Sequence, residues 1–379
     1  MFELLKGSFI WPGLAEVGSF MATHLISGML PAFFIAAAIA IFLDKSRITR
    51  ILGKDASPWL SYPAAAFTGG ILTVCSCGVI PIFIGIRQSG AGTGPAFTFL
   101  FATPAVNLIA LTYTYSFMGT RMLLARTFSV IACSIVVGLI MSKLFSEDPA
   151  STASTAQVVE EETDRTDLQQ FIFFFLLVII MLTTTGFLDS LIKLLNIDFT
   201  VAAETSKQGA SYFLIKNLPK FFMLLIEFLF LGYMLKRFFQ KDEIIQWLKK
   251  TWSLLYSIFP KIVLGIFVTG IVGELLPLNK LMSYFNDNSI QTNIVVALIG
   301  SMMYFGTIVG VNIVATMTHF GMHVGPALTL LLSGPTVSFP SIIAIAPLIG
   351  IKKTSAFLVL VVLSTAFCGY FFGQLSNHL

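Results

Sequence analysis

Two cysteines one residue apart, in Cys75-Ser76-Cys77-Gly78, are the sharpest chemical feature of this sequence. Thiolates are soft donors, suited to Cu(I), Zn(II) or trivalent arsenic. On a regular helix, side chains two residues apart point about 200° away from each other and cannot grip one ligand together. At an unwound tip they can, and Gly78 is expected to supply the freedom for a turn there. C-x-C is not the usual C-x-x-C zinc spacing, and small apolar thiols also pack helix junctions. Cys75 and Cys77 therefore read either as transient metal or metalloid ligands or as packing residues. Cys133 and Cys368, each in the middle of an apolar segment, read as packing residues.

Prolines mark a second feature. Pro81, Pro104 and Pro335 lie inside apolar segments, where a proline removes one backbone donor and frees the carbonyl four residues earlier. Thr103-Pro104-x-x-Asn107 and Gly334-Pro335-x-x-Ser338 have the same layout. Each combines broken backbone with a polar side chain at similar depth, as a solute path or as an ordinary packing kink. Asn312, in a glycine-rich apolar stretch, is a further candidate for lining such a path. Glu227 sits near the middle of an apolar segment, where an ionisable group is costly and often functional. It reads as a proton-coupling group or as a carboxyl paired with a neighbouring helix. Asp189 and Glu274 fall near segment ends, where headgroup water suffices. His319 and His323, with Gly321 between them, read as loop residues rather than a metal pair. There is no Walker A motif and no Ser/His/Asp arrangement, so the expectation is a protein that is not an enzyme and needs no cofactor.

The elements that must hold these residues follow from composition. Of 379 residues, 56% are hydrophobic and 11% charged, against roughly 25% charged in soluble proteins. Such a chain lacks the polar residues to make a water-facing surface, and the expected fold is an all-α polytopic membrane protein. The net charge of +4 comes from basic residues spread over short loops, which gives no nucleic-acid surface. Four cysteines in apolar context are not a secreted disulfide framework. No signal peptide precedes the first apolar segment.

Spanning helices are expected at about 20–43, 95–117, 121–143, 168–188, 213–235, 254–276, 325–348 and 353–375. Two further apolar stretches, 61–86 and 290–318, are rich in glycine and small polar residues at their centres. Residues 146–167 carry seven acids and one base after Ser146, the composition of a flexible linker. Residues 236–250 carry five bases against two acids, with Phe238, Phe239, Ile245 and Trp247 placed to lie in the headgroup region.

The chain also repeats itself. Gly94-Pro95-Ala96-Phe97-Thr98-Phe99-Leu100 returns as Gly325-Pro326-Ala327-Leu328-Thr329-Leu330-Leu331, and eight of the seventeen positions from Gly90 to Val106 are identical 231 residues later. The same offset carries Pro104 onto Pro335, Gly119 onto Gly350 and Gly138 onto Gly369. Basic residues favour the cytoplasmic side. The 44–57 loop has Lys45, Arg47, Arg50 and Lys54, whereas its counterpart 277–291 has only Lys280. The two halves are therefore expected to be inverted. Returning the chain to the inside at 146 then requires 61–86 to enter and leave by one face, with 290–318 doing the same from outside. The expectation is eight transmembrane helices plus two re-entrant hairpins, a transporter pattern. Residues 1–19 form an N-terminal interfacial segment and 20–145 the first membrane repeat. The acidic cytoplasmic linker is 146–167. Residues 168–253 hold two connecting helices and the basic cytoplasmic loop, and 254–379 form the second repeat. Both termini would lie outside a plasma membrane.

Cys75-Ser76-Cys77-Gly78-x-x-Pro81, then Gly85-x-Arg87-x-x-Gly90, then Phe99-Leu100-x-Ala102-Thr103-Pro104-x-x-Asn107, resembles the ArsP/YraQ-type predicted permeases with their CSCG signature. The resemblance covers most of the chain. It implies a permease related to exporters of trivalent organoarsenicals, with other relatives linked to copper or zinc efflux. It also implies that Cys75, Cys77, Pro81, Thr103, Pro104 and Asn107 face the substrate. The second half has Gly306 and Ile308 where the thiols would fall, so two-fold symmetric sulfur ligation is not expected. The expected partners are the bilayer, a small thiophilic solute, a coupling ion such as the proton, and a second copy of the chain in a homo-oligomer. The rival readings are a membrane thiol oxidoreductase using Cys75 and Cys77, and a non-transporting subunit of a membrane complex.

Overall fold

A chain in lipid has no water to satisfy its peptide groups, so its backbone must bond to itself. The computed structural model describes residues 11–22, 25, 29–42, 45–53, 56–71, 76–145, 167–184, 210–275, 285–303 and 307–377. Among these every regular element is a helix. In chain order they are α1 (Trp11–Phe20), α2 (Leu30–Phe42), α3 (Lys45–Leu52), α4 (Pro58–Ile71), α5 (Val79–Gln88), α6 (Thr93–Ala105) and α7 (Leu108–Leu144). Next come α8 (Asp167–Thr184), α9 (Ala210–Phe238), α10 (Lys241–Leu275), α11 (Ile290–Met302) and α12 (Thr307–His319). The last three are α13 (Val324–Thr336), α14 (Phe339–Ile349) and α15 (Ile351–Asn377). The acidic stretch 146–166 lies outside the described residues.

Buried hydroxyls inside these helices need acceptors, and most find one in the helix itself. Thr98, Thr103, Thr114, Thr251, Thr269 and Thr336 each donate to the carbonyl four residues back, at 2.6–3.1 Å.

Among the described residues three helices are long and apolar enough to cross a membrane: Ala110–Leu144, Lys241–Ile271 and Ile351–Ser376. A fourth is α13 with α14, if the pair is counted as one span bent by 46°. The apolar segments expected at 95–117 and 325–348 are each two helices. The first parts at Val106-Asn107, between α6 and α7, and the second at Val337-Ser338, between α13 and α14. Pro104 and Pro335, in the last turns of α6 and α13, explain the breaks. Each proline withholds a donor just before the polar residue that caps the next helix.

Local structure recurs at the sequence offset of 231 residues. The bounds of α6 map onto those of α13, and the start of α7 onto the start of α14. Four glycines have positive φ, and they fall into two pairs: Gly90 (99°) with Gly321 (102°), and Gly119 (79°) with Gly350 (92°). Thr98 Oγ1 lies 3.1 Å from the Ser134 carbonyl, and Thr329 Oγ1 3.4 Å from that of Thr365. These bonds join α6 to α7 and α13 to α15. At the same crossings Gly138 and Gly369 lie so close to the backbone of Gly94 and Gly325 that neither has room for a β-carbon. Small residues at close crossings are how helices associate without a hydrophobic drive.

One expectation is corrected here. Residues 241–250 are the first turns of α10, not a separate interfacial helix. Trp247 and Phe239 are buried. Phe239 packs on Phe42 and Phe173 with ring centroids 4.8 and 4.7 Å away, and Trp247 Nε1 donates to the Phe34 carbonyl at 2.9 Å. Helix α1 packs on α10, where Gly13 faces Phe267 and Gly270 faces Pro12 and Gly13.

Two cysteines read separately as packing residues lie against each other. Cys133 Sγ of α7 and Cys368 Sγ of α15 are 2.9 Å apart, and Cys133 Sγ also lies 3.6 Å from the Ser364 carbonyl. Treatment of membranes with copper-phenanthroline should therefore join Cys133 to Cys368 within one chain. Mass spectrometry should find that linked peptide pair, and Cys368→Ser should abolish it. Gly138→Leu should cost about 1–3 kcal/mol by overpacking, read as a lower unfolding midpoint.

Candidate functional site

The site is built around the two helix breaks. At the first, Asn107 is 2% exposed and caps α7, its Oδ1 accepting the Ala110 N–H at 2.7 Å. At the second, Ser338 caps α14: its N–H donates to Ser341 Oγ at 3.2 Å, and the two hydroxyls are 2.6 Å apart. A buried helix start leaves N–H groups without partners, and these polar side chains supply them.

The cysteine turn meets the second break, not the first. Ser76, Cys77 and Gly78 form a buried turn leading into α5. Ser76 Oγ lies 3.2 Å from Ser338 Oγ, a buried hydrogen bond between residues 262 apart in sequence. Cys77 is 0% exposed and forms no disulfide among the described residues. Cys75 lies outside the described residues. Gly78 adopts φ −73° and ψ −26°, an ordinary helical conformation. The expected need for glycine freedom there is thus not what shapes the turn. Pro81 is buried in the first turn of α5, where a missing N–H costs nothing, so it starts the helix and does not break it.

Thr103 and Pro104 are buried in the last turn of α6, with Thr103 Oγ1 donating to Phe99 at 2.7 Å. Pro335 closes α13 and lines a small apolar cleft with Gly310, Val311, Val314, Leu330 and Leu331. Asn312 does not join this group: it is exposed on α12, while its neighbours Val311 and Val314 are the buried ones. On a helix, positions 311 and 314 share a face that 312 does not.

Glu227 is apart from the breaks, on α9 against α8. It is 8% exposed, and its Oε1 accepts the Thr183 hydroxyl at 2.7 Å, while Oε2 has no partner among the described residues. The paired-carboxyl reading thus describes its geometry. His319 is exposed at the end of α12 and His323 caps α13, its Nδ1 accepting the Gly325 N–H at 3.2 Å. No group of three His, Cys, Asp or Glu side chains that could hold a metal occurs among the described residues.

Sequence reasoning missed Arg126. It is 0% exposed, on α7, with Nε donating to the Ala105 carbonyl at 3.0 Å and Nη1 to Thr114 Oγ1 at 2.8 Å. Arg126 and Glu227 are the two buried residues of the Asp, Glu, Lys and Arg types among the described residues. The signal was present in the sequence, since Arg126 falls inside the 121–143 apolar segment. Its nearness to Arg121 makes it look like a segment-end residue.

A family model described as predicted permease, ArsP_1, matches residues 13–374. UPF0718 protein MJ0584 of Methanocaldococcus jannaschii is 32% identical over 356 residues, which are 93% of this chain and 93% of that one. UPF0718 protein YcgR of Bacillus subtilis is 27% identical over 122 residues, 32% of this chain and 41% of its own. A Streptococcus mutans protein whose provisional name is two-component membrane permease complex subunit is 26% identical over 125 residues, 32% of this chain and 38% of its own. No solved structure matches the chain.

Replacing Asn107 by alanine removes the cap of α7 and should cost about 1 kcal/mol, read as a lower thermal midpoint in lipid nanodiscs. A double-mutant cycle of Ser76→Ala and Ser338→Ala should show coupling of about 0.6 kcal/mol, the usual size for hydrogen bonds between membrane helices. Additive single effects would mean the hydroxyls do not act on each other.

Proposed function

The chain belongs to the ArsP_1 family of predicted permeases, and from that premise we propose that it is a secondary permease moving a small thiophilic solute outward by alternating access. It is a multi-pass membrane protein. The finer architecture, also a proposal, is eight spanning helices and two re-entrant hairpins in two inverted halves. The recurrence of breaks, caps and positive-φ glycines at one offset supports it. So does the pairing of α6 with α13 and of α7 with α15, which brings matching elements of the two halves into contact. Inverted repeats whose broken helices meet near the midplane build sites of this kind.

One observation carries the transport reading. The turn bearing Cys77 is held by Ser76 against Ser338 at the break between α13 and α14. A thiol is thereby placed beside helix ends where backbone polarity faces the protein interior. Such a thiol gives a soft solute a brief resting point. A site with few sulfur ligands releases its cargo faster than a closed four-ligand cage. Cys75 and Cys77 are the proposed transient ligands, with Thr103, Asn107 and Ser338 lining the polar path. Glu227 is the proposed proton carrier, with a carboxyl oxygen left unpaired for that exchange. The plasma membrane is the proposed location, with 146–167 and 236–250 on the cytoplasmic side.

Everted vesicles provide the test, with uptake of organoarsenite, arsenite, Cu(I) and Zn(II) compared between wild type and Cys75→Ser/Cys77→Ser. At least one solute should accumulate, and the double substitution should cut its flux at least tenfold. Unchanged flux removes the thiols from the path. The name of the Streptococcus mutans relative favours a second reading, in which the chain is one subunit of a two-part permease. Flux by the purified chain alone in proteoliposomes decides against that reading.

A further inference from the structure

Arg126 is the largest fully buried side chain among the described residues. A guanidinium stays charged at any physiological pH and offers five N–H donors in a planar fork. Two donors are used here, both on neutral acceptors: the Ala105 carbonyl and the Thr114 hydroxyl. Nη2 has no partner. The other buried charge, Glu227, is engaged by Thr183 on another helix pair. Taking an isolated cation out of water costs several kcal/mol even after relaxation. A carbonyl and a hydroxyl offset that only in part.

Capping the freed end of α6 explains one bond. Ala105 is the last residue of α6, and its carbonyl has no helical donor across the break. Any single donor would serve that carbonyl, so the cap does not account for a full guanidinium whose Nη2 is left over. The Nη1–Nη2 edge has the geometry that takes two oxygens of one anion side by side. It stands next to the break whose other rim, Asn107, opens α7. The N-terminus of that helix carries partial positive charge of its own.

We propose that Arg126 is an anion-binding residue at the α6–α7 break. It takes a small species with two oxygens on one centre, a carboxylate or an oxyanion. Resting on the permease reading, this deepens it: the solute crosses as an anion or with an anion beside it, and a free metal cation is repelled from this point of the path.

Binding and transport are measured separately. The purified full chain in nanodiscs is titrated with sodium phosphate and with sodium acetate at constant ionic strength made up with choline chloride, and unfolding is followed by tryptophan fluorescence. At least one of the two anions should stabilise the wild type saturably. Arg126→Gln should weaken that anion's apparent affinity at least tenfold, with Arg126→Lys in between, because an ammonium supplies charge without the fork. Equal stabilisation of wild type and Arg126→Gln overturns the proposal, as does no saturable response of the wild type to either anion. Should the variants fail to fold, hydrogen exchange of the wild type decides. The anion must slow exchange within residues 105–114, and slowing confined to other segments overturns the site. Flux in everted vesicles is scored on its own. Anion binding without any flux rejects the permease reading and keeps the site, whereas flux without anion binding does the reverse.

Discussion

Every feature of this protein answers to one constraint: a peptide group at membrane depth must have a partner inside the protein. The helices meet it along their length. The two breaks, at Val106-Asn107 and Val337-Ser338, are where it is hardest to meet, because prolines in the turn before each have removed donors. The chain answers with side chains. Asn107 and Ser338 cap the helices that restart, and Arg126 holds the carbonyl that ends α6. Those same groups are the polar surface that the proposed solute path would use. The architecture that solves the backbone problem also supplies the chemistry.

Packing around the breaks is correspondingly tight. Gly138 and Gly369 let α7 and α15 approach α6 and α13 at distances no β-carbon would tolerate. Thr98 and Thr329 span the same crossings with hydrogen bonds. In lipid the contact of Leu with Leu brings little gain over Leu with lipid, so close backbone approach and interhelical bonds carry the association. The aromatic cluster of Phe42, Phe173, Phe239 and Trp247 joins α2, α8 and the turn between α9 and α10. It fastens the connecting helices to the first half, so that a basic stretch that looks like a surface loop is half-embedded.

Charge is distributed sparsely and with purpose. Glu227 and Arg126 sit on separate helix pairs and do not cancel each other. A paired ion would be the cheaper arrangement in a low-dielectric interior. Two separate buried acid and base side chains, each with a hydrogen-bonding atom unused among the described residues, suit a protein in which each meets a transient partner. A thiol-bearing turn at one break and a guanidinium at the other make the two breaks chemically different, although they share the spacing of prolines and glycines.

Periodicity and composition alone determined that this is a helical membrane protein, because the shortage of polar residues leaves no other solvent. They also determined where helices break and restart, since proline and capping residues act on their own turn. The offset of 231 residues was legible for the same reason: glycines needed at positive φ and prolines at helix ends are local demands written residue by residue. Tertiary structure decided what meets across helices. Nothing in the sequence says that Ser76 faces Ser338, that Cys133 meets Cys368, or that Asn312 turns outward while Val311 turns in. Arg126 was readable as a charge in an apolar segment, but not as a buried one, because an arginine near a segment end has a stem long enough to reach water. Only the packing of α7 on α6 closes that route.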